Sequence, residues 1–165
     1  MQYDQADAVQ KLSGVMKFES WIRFYFITEE EDALFIRIPD AAIAKMQELY
    51  PEHMELVNLL NNETITYEKS VNMVCQHMIS HYDGVMFPTG KVMEVMDTNA
   101  FQIEMQLFHV WTQHHEEQLD QGMLDFAKWM ELYEEWKRSA PVQEFVNKLN
   151  QAPMPTISCS TDTMH

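Results

Sequence analysis

What most restricts this chain is how seldom it can turn. It has 4 Gly and 6 Pro in 165 residues, and Pro153 and Pro155 fall in the last stretch. The other breaks stand at Gly14, Pro39, Pro51, Gly84, Pro88, Gly90, Gly122 and Pro141. A protein made of strands turns about every 8–12 residues and uses Gly, Pro, Asn and Asp to do so. Most gaps here are longer, and they carry apolar residues three and four apart, the spacing of one helix face. The expected fold is all-α, a single-domain orthogonal or up-down bundle of about seven helices. It is expected to occupy residues 1–150, with 151–165 as a flexible C-terminal tail that lacks apolar periodicity.

The first helix is expected from Asp4 to Thr28, with Val9, Leu12, Val15, Met16, Ile22, Tyr25 and Phe26 as its stripe. It stops at the acidic run Glu29-Glu30-Glu31-Asp32. From Ala33 to Pro39 the apolar residues alternate at strand period, and no partner strand stands out elsewhere. That piece reads as an extended connector or a helical turn, or as a strand paired across a dimer axis. Asp40 is expected to cap a short helix to Leu49. Pro51 suits the first turn of the next helix, which ends at Asn61-Asn62. Thr64 or Thr66 caps a helix to Tyr82, with Gly84 just past its end and a loop from Val85 to Gly90.

The longest periodic segment, Lys91 to Gln121, is expected to divide at Asp97-Thr98-Asn99. Its second part, near residues 99–121, should be the central helix. Phe101, Met105, Phe108, Trp111, His115 and Leu119 share one face, with Ile103, Leu107, Val110 and His114 roughly opposite. Gln102, Gln106, His109 and Gln113 are assigned to its polar side, and His115 to the core. Two more helices follow, Met123 to Arg138 with Phe126, Trp129, Met130, Tyr133 and Trp136, and one from Pro141 with Val142, Phe145, Val146 and Leu149 inward.

Charge excludes whole classes of partner. Asp and Glu number 26 against 11 Lys and Arg, a formal net charge of −15. Met46 to Glu68 contains Glu48, Glu52, Glu55, Glu63 and Glu68 and no Lys or Arg, and Val92 to Ala127 is also free of bases. Nucleic acids and anionic membranes are bound by clustered cations, so neither is an expected partner. No apolar run approaches the ~20 residues of a membrane span, and no signal-peptide pattern opens the chain, so a cytoplasmic location is expected. Cys75 reads as a small buried hydrophobe and Cys159 lies in the tail; they make no CxxC motif and no disulfide framework.

His77 and His81 are the pair with metal-ligand spacing, because residues four apart share a helix face. They fall about 80–120° from Val71, at the border of the apolar stripe. No Glu stands between them as in His-Glu-x-x-His, and Asp83 falls on another face, so a third ligand would have to come from another helix. The structural alternative is a pair of boundary histidines. A hemerythrin-type di-iron site would need an acid at Val57, four after His53, and another at His114, five after His109; both are missing. No Glu-x-x-His of the ferritin-like di-iron sites occurs either. Among 14 Met, the cluster Met86, Phe87, Met93 and Met96 is the candidate partner-binding patch. No catalytic residue and no cofactor is expected. The leading expectation is a small acidic helical protein, not an enzyme, that binds a protein partner or forms a homodimer. The alternative is a metal-binding bundle using His77 and His81.

Overall fold

The computed structural model describes residues 4–64, 66–119 and 125–151, and over these the chain is an all-α, multi-helix fold with one small hairpin. In chain order it has α1 (Gln5–Phe26), β1 (Ile27–Glu30), β2 (Ala33–Ile36), α2 (Asp40–Leu49), a 3-10 turn (Pro51–His53), α3 (Met54–Leu60) and α4 (Tyr67–Tyr82). Then come α5 (Lys91–Met96), α6 (Asn99–His114), α7 (Glu116–Leu119), α8 (Phe126–Lys137) and α9 (Ala140–Gln151). The tail from residue 152 and Cys159 within it lie outside the described residues. None of the described helices is long and apolar enough to cross a membrane.

The centre of the molecule is shared between two helices. On α1, Leu12, Val15, Met16, Phe18, Trp21 and Ile22 are buried, and so are the polar Ser13, Lys17 and Glu19. A helix buried around this much of its girth lies among other helices. It packs on α4, α5 and α6. The expected central helix, α6, packs on α1, α5, α7, α8 and α9. Its main stripe is buried at Phe101, Met105, Phe108 and Trp111, while on the second stripe Ile103 and Leu107 are buried and His114 is exposed. Gln102 departs from the expected polar side: it is 4% exposed, and its Nε2 donates to the Met96 carbonyl at 2.6 Å. That bond lets an amide replace an apolar residue where α5 turns into α6.

The hairpin corrects the expectation for residues 27–39. The strand does have a partner, and it is the segment expected to end the first helix. Ile27 pairs with Ile36 and Glu30 with Ala33, antiparallel. Glu31 and Asp32 make the connection with φ of 50° and 66°. Two positive φ values match the right-handed twist of paired strands, so the acidic run is a turn and α1 stops at Phe26. Hydrogen bonds then fasten the hairpin to the chain after α3. Asn62 N donates to Ile36 O at 2.6 Å, Ile36 N to Glu63 O at 3.2 Å, and Ile38 N to Asn61 Oδ1 at 2.8 Å. This fixes where α3 ends.

Capping follows the sequence closely at two points. Thr66 accepts from Lys69 N at 3.1 Å to start α4, and Thr98 accepts from Phe101 N at 3.2 Å to start α6. At α2 the cap position is Pro39 with no side-chain bond, and Asp40 is the first helical residue. Phe145, expected inward, is exposed, and so is Leu49 at the end of α2.

A partly buried ionic cluster joins α1, α6 and α8. Glu104 accepts from Lys17 Nζ at 2.5 Å, from Lys137 Nζ at 2.9 Å and from the Tyr133 hydroxyl at 2.9 Å. Lys17 also lies 4.8 Å from the Tyr133 ring centre. Burial pushes the Lys17 ammonium down from its ordinary value, with Glu104 opposing the shift. Burial pushes the Glu104 carboxyl up, but Lys17 and Lys137 outweigh it and hold the group below the usual range.

Two substitutions test this packing. Trp111→Ala is expected to cost about 3–5 kcal/mol in urea unfolding, since it empties a fully buried site; a near-neutral result would move α6 out of the core. Glu104→Ala is expected to cost about 3–5 kcal/mol as well, because it leaves the Lys17 ammonium buried without its counter-charge. A loss below ~1 kcal/mol would show that the cluster is solvated.

Candidate metal centre

Helix α4 places its histidines by periodicity, and the fold then gives them different surroundings. Val71, Val74, Cys75 and Met78 face the core. His77 stands beside that stripe and is 4% exposed, whereas the His81 side chain is 36% exposed. Their rings lie 4.3 Å apart between centroids, tilted by 34°.

The third group comes from α3. Glu55, in the first turn of that helix, brings its carboxylate into contact with His81 Nε2. One ligand atom from each of Glu55, His77 and His81 lies within 4.8 Å of the others. Metal–ligand bonds of about 2.0–2.1 Å in a tetrahedral arrangement bring donors to roughly 3.4 Å.

Protonation suits ligation. His81 Nδ1–H donates to the His77 carbonyl at 3.0 Å, since a carbonyl can only accept. This leaves Nε2 as the atom that faces Glu55. A lone pair facing a carboxylate needs a cation between them, either a proton or a metal ion. A ligating His usually has its other nitrogen held in this way by a carbonyl or a carboxylate. His77 is held neutral: burial first, then His81 and His53, push it down to about 4, against the pull of Glu55. A neutral imidazole is the form that binds metal. Its Nδ1 is buried with no hydrogen-bond partner among the described residues. Trp21 Nε1 and His53 Nδ1 share that condition among the described residues.

The cluster opens on a groove of about 850 Å³ between α3 and α4. Other histidines play no part in it. His53 stacks on Phe18 at 4.2 Å and is pushed down by burial. His109 and His114 are exposed; His115 is half-buried, with Nδ1 bonded to the Trp111 carbonyl at 2.9 Å.

The four residues of the candidate partner patch are not presented together. Phe87 and Met96 are buried in the core, Met93 is half-buried, and Met86 is exposed at 44% beside Val85. The loop carrying Phe87 folds back on the end of α4. Gly84, at a φ of 78°, donates to Phe87 O at 2.7 Å, and Gly90 N donates to Asp83 Oδ1 at 2.6 Å. Sequence reasoning found His77 and His81 but not Glu55. That residue was visible only as a member of an acidic, base-free stretch, 22 positions before His77 (77 − 55). No family model, curated protein or solved structure matches this chain.

The low His77 value has a consequence for metal-free protein. The folded ring releases its proton at about 4, whereas the unfolded ring does so near its ordinary 6.5. Between these values the unfolded state binds the extra proton, so stability is complete above pH ~6.5 and falls as pH drops towards ~4. The loss is expected to be on the order of 2–3 kcal/mol. His77→Gln should flatten that part of a urea-midpoint profile recorded with chelator present. An unchanged slope would place the titration elsewhere.

Proposed function

We propose that this protein binds a divalent transition metal through Glu55, His77 and His81. The observation that carries this reading is the arrival of the α3 carboxylate at the His pair of α4, which supplies the third ligand that α4 lacks. Two imidazoles and a carboxylate form a donor set suited to zinc and to other late first-row metals. No thiolate is required, and the site bridges two helices, so an ion would also fasten α3 to α4.

The test uses untagged full-length protein stripped with chelator. Added zinc should bind near one equivalent and raise the melting temperature, because a ligand at 100 times its Kd adds about 2.7 kcal/mol to the folded state. His81→Ala and Glu55→Ala should each abolish the rise while leaving the metal-free fold intact, as both side chains are substantially exposed. A melting temperature indifferent to zinc and to the neighbouring metals of the series would refute the reading.

Binding of a protein partner or of a second copy is supported by a smaller feature, the exposed Val85 and Met86 at the α4–α5 loop. Two apolar side chains make a small patch, and the metal reading has the stronger chemical support.

A further inference from the structure

The aromatic rings between α6 and α8 hold ammonium groups at one end only. The Lys17 ammonium lies 4.8 Å from the Tyr133 ring centre and the Lys137 ammonium 5.2 Å from it, with Glu104 paired to both. A cation over an aromatic face is drawn by the ring quadrupole, and a nearby carboxylate adds to the pull. Trp136 continues the stack, its ring 6.1 Å from that of Tyr133 and tilted by 30°. Beyond it lies a cavity, and there no Lys or Arg among the described residues stands over Trp136, His115 or Trp111.

That cavity holds about 320 Å³ and is lined by Trp111, His115, Leu119, Leu132, Glu135 and Trp136. His115 lies over Trp111 at 5.9 Å between ring centres, tilted by 35°. Trp136 meets His115 at 6.4 Å and 79°. Two ring planes near a right angle make a corner, so a rounded cation seated in it meets a face of each. Leu119 and Leu132 add apolar contact, and Glu135 adds negative charge. Among the described residues Glu135 makes no ion pair, and its neighbour Lys137 is turned to Glu104 and Glu134.

The backbone favours the same sign. His115 caps the C-terminus of α6, and Glu135 and Trp136 belong to the last turn of α8. Helix C-termini carry partial negative charge and stabilise cations. Glu116 and Glu117 follow His115 directly, and Val92 to Ala127 contains no Lys or Arg. A ligand bearing a phosphate or a second carboxylate would be repelled here. A primary ammonium has three N–H donors to satisfy, and four of the six lining side chains are Trp or Leu. A quaternary ammonium has no N–H and suits such walls.

We infer that this cavity binds a small quaternary ammonium compound of the choline class, its trimethylammonium head in the corner of Trp136 and His115 and its charge facing Glu135. The site shares no residue with the metal centre and does not depend on it. Its volume stands at the lower end of the ~300–1,000 Å³ range of small-ligand sites, which favours a free molecule over a head group carried on a larger chain.

The experiment uses the full chain, with affinity read by calorimetry and location by the indole N–H signals in nitrogen–proton correlation spectra. Trp136→Phe identifies the Trp136 signal. The probes are choline, its neutral isostere with a tert-butyl group in place of trimethylammonium, and an acetylated tripeptide with a central trimethyl-lysine. Choline should shift the Trp136 signal saturably and bind about tenfold tighter than the isostere, or more. Glu135→Gln, at an exposed position, should weaken choline several-fold and leave the isostere unchanged. Equal affinity for choline and the isostere would overturn recognition of the charge. Choline binding that ignores Glu135→Gln and leaves the Trp136 signal unmoved would overturn the site. A peptide bound much more tightly than choline would overturn the assignment to a free small molecule. Binding of none of the three refutes the inference outright.

Discussion

Glu104 is the tie on which the arrangement of the larger helices depends. Its carboxylate takes Lys17 from α1 and both Lys137 and the Tyr133 hydroxyl from α8, so three helices meet at two oxygen atoms. Desolvating a carboxylate and an ammonium costs several kcal/mol per ion, and a second cation with a phenol is what makes the burial tolerable. Aromatic rings close around the cluster. Tyr133 packs against Phe108 at 5.2 Å and Trp111 at 5.5 Å, and Trp129 lies 5.6 Å from Trp111. Apolar packing alone would accept several relative positions of α1, α6 and α8. A buried charge with fixed partners discriminates among them, since any slip strands an ion.

With α1 held from that side, its opposite side meets α4. Glu19, buried, accepts from Ser70 on α4 and from Arg23 on its own helix at 3.0 Å. The two acids, the half-buried Glu104 and the buried Glu19, therefore set where α6 and α4 lie around α1. The hairpin contributes the last constraint, because its bonds to Asn61, Asn62 and Glu63 fix the approach of α3 to α4. The Glu55–His77–His81 cluster sits at that approach. Its geometry is thus a product of the scaffold, and its inner member is buried while its outer members are substantially exposed. Such a division suits an ion that must enter from solvent.

Much of the fold was legible because helices announce themselves locally. Thr66 and Thr98 cap as their sequence positions imply, and the stripe from Phe101 to Trp111 is buried as its period requires. The polar exceptions were not legible. Lys17, Glu19, Gln102 and Ser70 look like surface residues in the sequence, and each is buried because a partner distant in the chain or across a turn satisfies it. The hairpin was missed for a related reason. Ile27 and Thr28 continue a helical pattern, and only the turn at Glu31-Asp32 lets Ile27 to Glu30 pair back on Ala33 to Ile36.

By itself the sequence determined that this chain is helical, that it is strongly acidic, and that His77 and His81 look the same way from one helix. Those properties depend on the 3.6-residue repeat and on formal charge, both of which act within a few residues. Tertiary structure decided the rest: which histidine is buried and neutral, which of the acids stands beside them, and that Phe87 and Met96 belong to the core. These depend on desolvation and on contacts between residues tens of positions apart. Neither exists until α3 and α4 have been brought together around α1.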